Sequence, residues 1–313
     1  MTLPTLGFIG TGTVGSALAR ALSRAGYRIL AVHNRTPEKA SHLAASIEGS
    51  RAVGSAQDVV DACDLVFLTV PDDFIEPLCQ SLDWTRHQTA ESPSDSAPRA
   101  PARAAIHTSG AASIDILQSA RDQGAEVGVF HPLQTLARPE DAERNLPGSG
   151  FGIEASSDEL RATLEEMARA LGGTPLLLGG EKALYHASAV IASNYLVTLL
   201  GLASSLWEPL GLTRDEGLRA LLPLVRGTLN NLERIGLPDA LTGPIARGDA
   251  GTISRHLEAL GRVAPELLPV YKELARRTIP IARAKGSLDE AGARRLAGRL
   301  EQNGDETHAK NNR

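Results

Sequence analysis

The chain of 313 residues is poor in the residues that staple or anchor a fold. It has only two cysteines, Cys63 and Cys79, and no partner motif surrounds either. A disulfide framework and a cysteine metal site are therefore excluded, and no other metal-ligating cluster stands out. Two buried, reduced, inert thiols are expected, which suits the cytoplasm. Aromatic residues make up only 4%. The core must then come from Ala, Leu, Val and Gly, which suits helices packed closely on a sheet and on each other. An excess of one charge is also missing: 32 Lys plus Arg stand against 37 Asp plus Glu, for a net charge of −5. That balance argues against nucleic acid or an anionic membrane as the main partner. The longest apolar run, Ala187 to Leu206, is broken by Ser193, Asn194, Tyr195, Thr198, Ser204 and Ser205. It reads as a buried core helix and not as a membrane span. No apolar leader precedes the first strand pattern, so no signal peptide is expected.

What the chain does have begins at residue 5. A short apolar strand, Leu6 to Ile9, leads into Gly10-Thr11-Gly12-Thr13-Val14-Gly15, and a helical pattern follows. The order strand, G-x-G-x-x-G, helix is what a dinucleotide-binding turn requires. Gly10 permits the tight turn, Gly12 lets a pyrophosphate approach the backbone, and Gly15 lets the helix pack on the strand. The helix start then offers free N–H groups and the positive dipole end to the phosphates.

The second strand pattern, Tyr27 to His33, ends in Asn34-Arg35-Thr36. An NAD site usually carries an acid here for the ribose 2′-hydroxyl. This chain carries a guanidinium and two small polar side chains instead. Arg35 can pair with a 2′-phosphate, and Asn34 and Thr36 can add hydrogen bonds, so NADP(H) is expected over NAD(H).

Asp64 to Val70 is a near-continuous apolar run, hence a strand buried on both faces. Val70, Pro71 and Asp72 follow at its carboxyl end, the side that lines the cofactor crevice in such sheets. Asp72 is also placed to cap the helix after it. Residues 85–104 are rich in Ser, Pro, Ala and Arg, and read as an exposed, poorly ordered insertion. A strand at Ala105 to Thr108 then ends in His107-Thr108-Ser109-Gly110, and one at Glu126 to Phe130 is followed by His131-Pro132-Leu133-Gln134-Thr135. Ser113 is a plausible cap for the helix between them. His107 reads as structural; His131, held extended before a proline, leans towards the site. Strands at Phe151–Ala155 and Pro175–Leu178 complete a doubly wound α/β sheet. From Glu181 only helix patterns remain, with a long one to Leu210 and another from Arg214 to Ile235. The expected organisation is a Rossmann-like domain over 1–180, an all-α domain over 181–300 and a flexible tail over 301–313.

The long helix opens with Lys182 and His186, which are i and i+4 and share a face; Asn194 follows eight residues later. Reduction of a carbonyl by hydride needs a proton donor and a stabiliser for the developing oxyanion. Lys182 or His186 can supply the proton, and Asn194 can orient the substrate. The turn Leu241 to Asp249 carries Thr242, Arg247 and Asp249. Arg247 is either an anchor for a substrate carboxylate or one half of an Arg–Asp pair at a helix cap.

Together GFIGTGTVG, NRT, DLVFLTVPD, HTSG, FHPLQT, EKALYHASAVIASNYLVTLL and LTGPIARGD resemble a two-domain bacterial group. Its members join a Rossmann-like NADP domain to a helical domain of formerly unknown function. The wider superfamily is similar to 6-phosphogluconate dehydrogenase, 3-hydroxyisobutyrate dehydrogenase, ketopantoate reductase and pyrroline-5-carboxylate reductase. In the β-hydroxyacid and ketopantoate enzymes a Lys is followed four residues later by Asn. Lys182 matches that Lys, and His186 stands where Asn would be. The resemblance implies an NADPH-dependent reductase of a small carboxylate substrate, with 2-dehydropantoate to pantoate as the leading reaction. Reduction of a cyclic imine such as pyrroline-5-carboxylate is the alternative, and an NADP-sensing scaffold without turnover is the alternative of another class. A homodimer is expected, because a helix apolar over most of its circumference needs more cover than one short domain supplies.

Overall fold

The computed structural model describes residues 3–85, 103–137 and 143–301. Eight strands form one sheet in the order β3-β2-β1-β4-β5-β6-β7-β8. They are β1 (Thr5–Ile9), β2 (Arg28–His33), β3 (Arg51–Ala52), β4 (Leu65–Leu68), β5 (Ala104–His107), β6 (Glu126–Leu133), β7 (Gly150–Ala155) and β8 (Thr174–Leu177). All neighbours run parallel except β6 and β7. The order reverses between β1 and β4, the switch point where such sheets open a crevice at their carboxyl ends.

Alternation along each strand feeds two cores, because successive side chains leave opposite faces. Leu6, Phe8, Leu65, Phe67, Ala104 and Ile106 join one cluster; Ile9, Val66, Leu68 and Ala105 join the other. The first cluster carries four of the five phenylalanines in a row. Phe8 stacks on Phe67 at 4.8 Å, Phe67 meets Phe130 edge-on at 6.0 Å, and Phe130 stacks on Phe151 at 4.9 Å. Each such pair adds about 0.5–1.5 kcal/mol beyond burial. The sparse aromatics are thus concentrated where they tie β1, β4, β6 and β7 together.

Three expectations are corrected here. The strand expected to stop at Phe130 runs on to Leu133, so His131 lies inside β6. Pro132 is tolerated there because pairing with β5 has already ended at Val129. Two residues of the insertion expected over 85–104 do not fit an exposed segment: Arg103 is buried and Ala104 opens β5; residues 86–102 lie outside the described residues, as do 302–313 of the expected tail. The helix expected over Glu181–Leu210 is two helices, Lys182–Ala192 and Asn194–Ser205. Ser193 between them has φ −111° and ψ −67°, off helical values. Short polar side chains such as Ser193 and Asn194 offer the backbone other partners and favour such a break.

The chain divides into two compact units, residues 1–193 and 194–313. The expected boundary at 180/181 falls before Lys182–Ala192, which stays with the first unit. In the second unit the core is built by Ile245, Ile253, Ala275, Ala282, Leu288, Ala293, Leu296 and Leu300. None of these belongs to Asn194–Ser205 or to the helix Arg214–Ile235, which pack against each other. The expectation of a buried core helix therefore fails. Of Lys182–Ala192 only Lys182 is buried, and of Asn194–Ser205 only Ser204. Leu184, Ile191, Val197, Leu224 and Leu229 are exposed. By length and composition alone, Lys182–Leu210 passes as a membrane-span candidate.

Candidate cofactor and active site

The glycine turn is shaped by the space that its residues leave. Gly10 sits at φ +100°, and a Cβ there would lie 2.5 Å from the Thr69 carbonyl oxygen. A Cβ on Gly15 would collide with the Gly10 carbonyl and the Thr69 hydroxyl. Gly12 faces open space, with nothing within 4 Å of a Cβ position. The helix Thr13–Arg24 begins there with Val14 in its first turn, no side-chain cap and no acid. Its first N–H groups are left for an external acceptor, so the residues present fit a pyrophosphate.

At the end of β2 the Asn34 amide donates to Thr11 Oγ1 at 2.9 Å, and its Oδ1 accepts from Thr36 N–H at 2.9 Å. Asn34 therefore ties the glycine turn to the next loop, and its side chain is used for that. Arg35 and Thr36 are exposed beside it.

Asp72 is not the helix cap that it was placed to be. It makes no capping hydrogen bond. Its carboxylate accepts from Ser109 Oγ at 2.6 Å, bridging the loops after β4 and β5 past Val70 and Pro71. Ser109 Oγ also accepts from the N–H groups of Ala111 and Ala112. His107 is structural: Nδ1 accepts from Ser109 N–H at 3.1 Å and Nε2 donates to the Ser113 carbonyl at 3.3 Å. Burial, and then Lys182, push its pKa down to about 4.

Beside this loop the start of Lys182–Ala192 brings Lys182, Tyr185 and His186 to β6 and β7. Lys182 is 6% exposed. Its Nζ lies 3.8 Å from Glu154 Oε1, too far for a hydrogen bond, and finds no hydrogen-bond partner. Burial lowers its pKa; Glu154 and Asp72 oppose that. His131 Nδ1 lies 2.9 Å from the Tyr185 hydroxyl. Burial, then His186 and Lys182, push the imidazole down to about 4, and burial pushes the phenol up to about 12. His186 meets His131 edge-on at 6.3 Å. Gly110 separates the two rings: a Cβ there would lie 2.7 Å from His131 Nε2 and 2.9 Å from His186 Cδ2. Among the described residues no group of acids, histidines or cysteines is arranged to hold a metal.

Lys182, His186, His131, Asp72, Ser109 and Gly110 are thus gathered in the first unit. Asn194 opens the first helix of the second unit. Thr242, Arg247 and Asp249 are there too. Asp249 caps Ala250–Val263, accepting from Thr252 N–H at 2.9 Å and Thr252 Oγ1 at 2.7 Å. The helix-cap reading of that turn is the one its hydrogen bonds favour. Sequence reasoning missed Tyr185 and Glu154. The signals were present: Tyr185 is i+3 from Lys182, and Glu154 is an acid inside the apolar strand FGIEA.

Residues 5–91 match the family described as NADP oxidoreductase, coenzyme F420-dependent. Residues 149–278 match the domain of unknown function DUF2520. No curated protein matches the chain. A candidate NADP oxidoreductase from Bacteroides fragilis is similar at 25% identity and TM-score 0.65, over 89% of this chain and 98% of that one. A Thermotoga maritima protein is similar at 23% identity and TM-score 0.69, over 90% and 99%. The 1-pyrroline-5-carboxylate reductase of Streptococcus pyogenes shares the fold at 18% identity and TM-score 0.60, over 90% and 99%.

Proposed function

We propose that this NADP-dependent oxidoreductase, whose residues 5–91 match the NADP oxidoreductase family and 149–278 DUF2520, uses NADPH to reduce the C=N bond of a small imine at Lys182. The observation that carries the reading is the buried Lys182 amine, without a hydrogen-bond partner, beside Glu154. Bound NADPH supplies the hydride. Lys182 gives a proton to the imine nitrogen, and its lowered pKa makes it a better acid than an exposed lysine. The amine regains its proton from water. Glu154 and Asp72 stabilise the iminium cation that protonation creates, and His131 adds no opposing charge, because it is neutral at pH 7. Fold relatives include an imine reductase from Pseudomonas sp., alongside the pyrroline-5-carboxylate reductase.

Reduction of a 2-oxo acid such as 2-dehydropantoate is the second reading. The positive charge of Lys182 favours it, as a seat for the developing alkoxide. The carboxylates Glu154 and Asp72 weigh against it, since they repel the developing alkoxide. NADPH oxidation against a panel of cyclic imines and 2-oxo acids separates the two; turnover confined to the oxo acids refutes the imine reading.

In our reading the NADP phosphates lie on Gly10–Gly15, the 2′-phosphate on Arg35 with Thr36, and the nicotinamide near Pro71, Ser109 and Gly110. A second copy covers the exposed Leu224 and Leu229 face of the Asn194–Ser205 and Arg214–Ile235 pair, giving a homodimer. The free, buried thiols of Cys63 and Cys79 suit the cytoplasm.

A further inference from the structure

We infer that Tyr185 is a positioning residue that holds His131 as the neutral Nε2–H tautomer, so that His131 presents a hydrogen-bond donor at the Gly110 turn, to an acceptor atom of the substrate. The second half rests on the reductase reading above; the first does not.

The Tyr185 hydroxyl and His131 Nδ1 are 2.9 Å apart, and one of them must donate. A phenol is the stronger acid and an imidazole nitrogen the stronger base, so Tyr185 donates and Nδ1 accepts. With His131 driven to about 4 and Tyr185 to about 12, the proton stays on the phenol throughout the neutral range. The ring is uncharged, and its one proton sits on Nε2. Nε2 has no hydrogen-bond partner among the described residues, and it lies at the edge of the ring that packs on Gly110.

Two glycines make room for this arrangement. His131 in β6 stands opposite Gly152 in β7, and a Cβ on Gly152 would lie 3.0 Å from the Tyr185 oxygen. The phenol reaches the imidazole because that position has no side chain. At the other edge, Gly110 has no side chain to fill the space between Nε2 and the His186 ring. Lys182 and Tyr185 are i and i+3, so a single helix turn delivers the ammonium and the phenol together. A neutral imidazole donor meets an acceptor atom of the substrate without adding charge beside Lys182.

Tyr185→Phe keeps the packing and removes only the hydroxyl. The ¹⁵N chemical shifts of His131 report its tautomer in wild type and variant, without any substrate. The expected result is Nε2–H in the wild type and a shift towards mixed tautomers in Tyr185→Phe. On the substrate identified by the panel, kcat of the variant falls about tenfold or more, with NADPH affinity unchanged. Tyr185→Phe then adds nothing further in a His131→Asn background, because it acts through that ring. A wild-type Nδ1–H tautomer, an unchanged His131 spectrum in Tyr185→Phe, or equal losses in both backgrounds overturns the inference. Failure of every substrate refutes the reductase reading and with it His131 as donor, whereas the spectra still decide the part played by Tyr185.

Discussion

Lys182 Nζ and Glu154 Oε1 are held 3.8 Å apart, near enough to attract and too far to hydrogen-bond. A buried ammonium left this way is a poor stabilising device. Such a pair repays desolvation only when geometry is good and the remaining protons are satisfied. The arrangement makes sense as one that a substrate completes.

Replacing Lys182 by Ala should lower turnover about 10²-fold or more, because it removes a proton donor and a charge used in the transition state. NADPH affinity, measured by fluorescence titration, should stay within a factor of about two, since Lys182 lies away from the glycine turn.

Arg35→Ala should weaken NADPH binding about tenfold or more, the loss of a charge-assisted bond worth about 1.5–3 kcal/mol. NADH affinity should hardly change. Equal wild-type affinity for the two cofactors defeats the assignment of Arg35 to the 2′-phosphate.

Acidification should destabilise the first unit between about pH 6.5 and pH 4. His107 and His131 have folded pKa values near 4, below the usual 6.5. In that window the unfolded chain binds more protons, so stability rises with pH and falls as pH drops, by up to about 1.4 kcal/mol per pH unit for each ring. Urea titrations across the window check this. His107→Gln should flatten the slope relative to wild type; an unchanged slope contradicts the buried, neutral state of His107.

Leu224→Glu should turn a dimer into a monomer by light scattering, if a second copy covers that face. Leu224 is 67% exposed, so the change leaves the core of the second unit intact. A wild type that is already monomeric at micromolar concentration contradicts the homodimer.

Much of the fold is legible in the sequence because its signals are local. The glycine turn, the apolar run through Leu65–Leu68 and the period of Arg214–Ile235 each fix an element by themselves. What stayed hidden depends on partners far along the chain. Asp72 has a cap's position, yet its acceptor role is decided by Ser109 on another loop. Tyr185 looks like one more apolar residue on a helix until β6 brings His131 to its hydroxyl. Glu154 gains meaning only opposite Lys182. The apolar helices after residue 182 read as core because an apolar composition does not by itself say that a face is buried.

The most direct test of the account is the rate of NADPH oxidation with the imine and oxo-acid panel, for wild type and Lys182→Ala, at saturating cofactor. With Lys182 as donor, the wild type turns over imines and the variant loses about 10²-fold or more, with NADPH still bound. A Lys182→Ala protein that reduces the same substrate at the wild-type rate contradicts it.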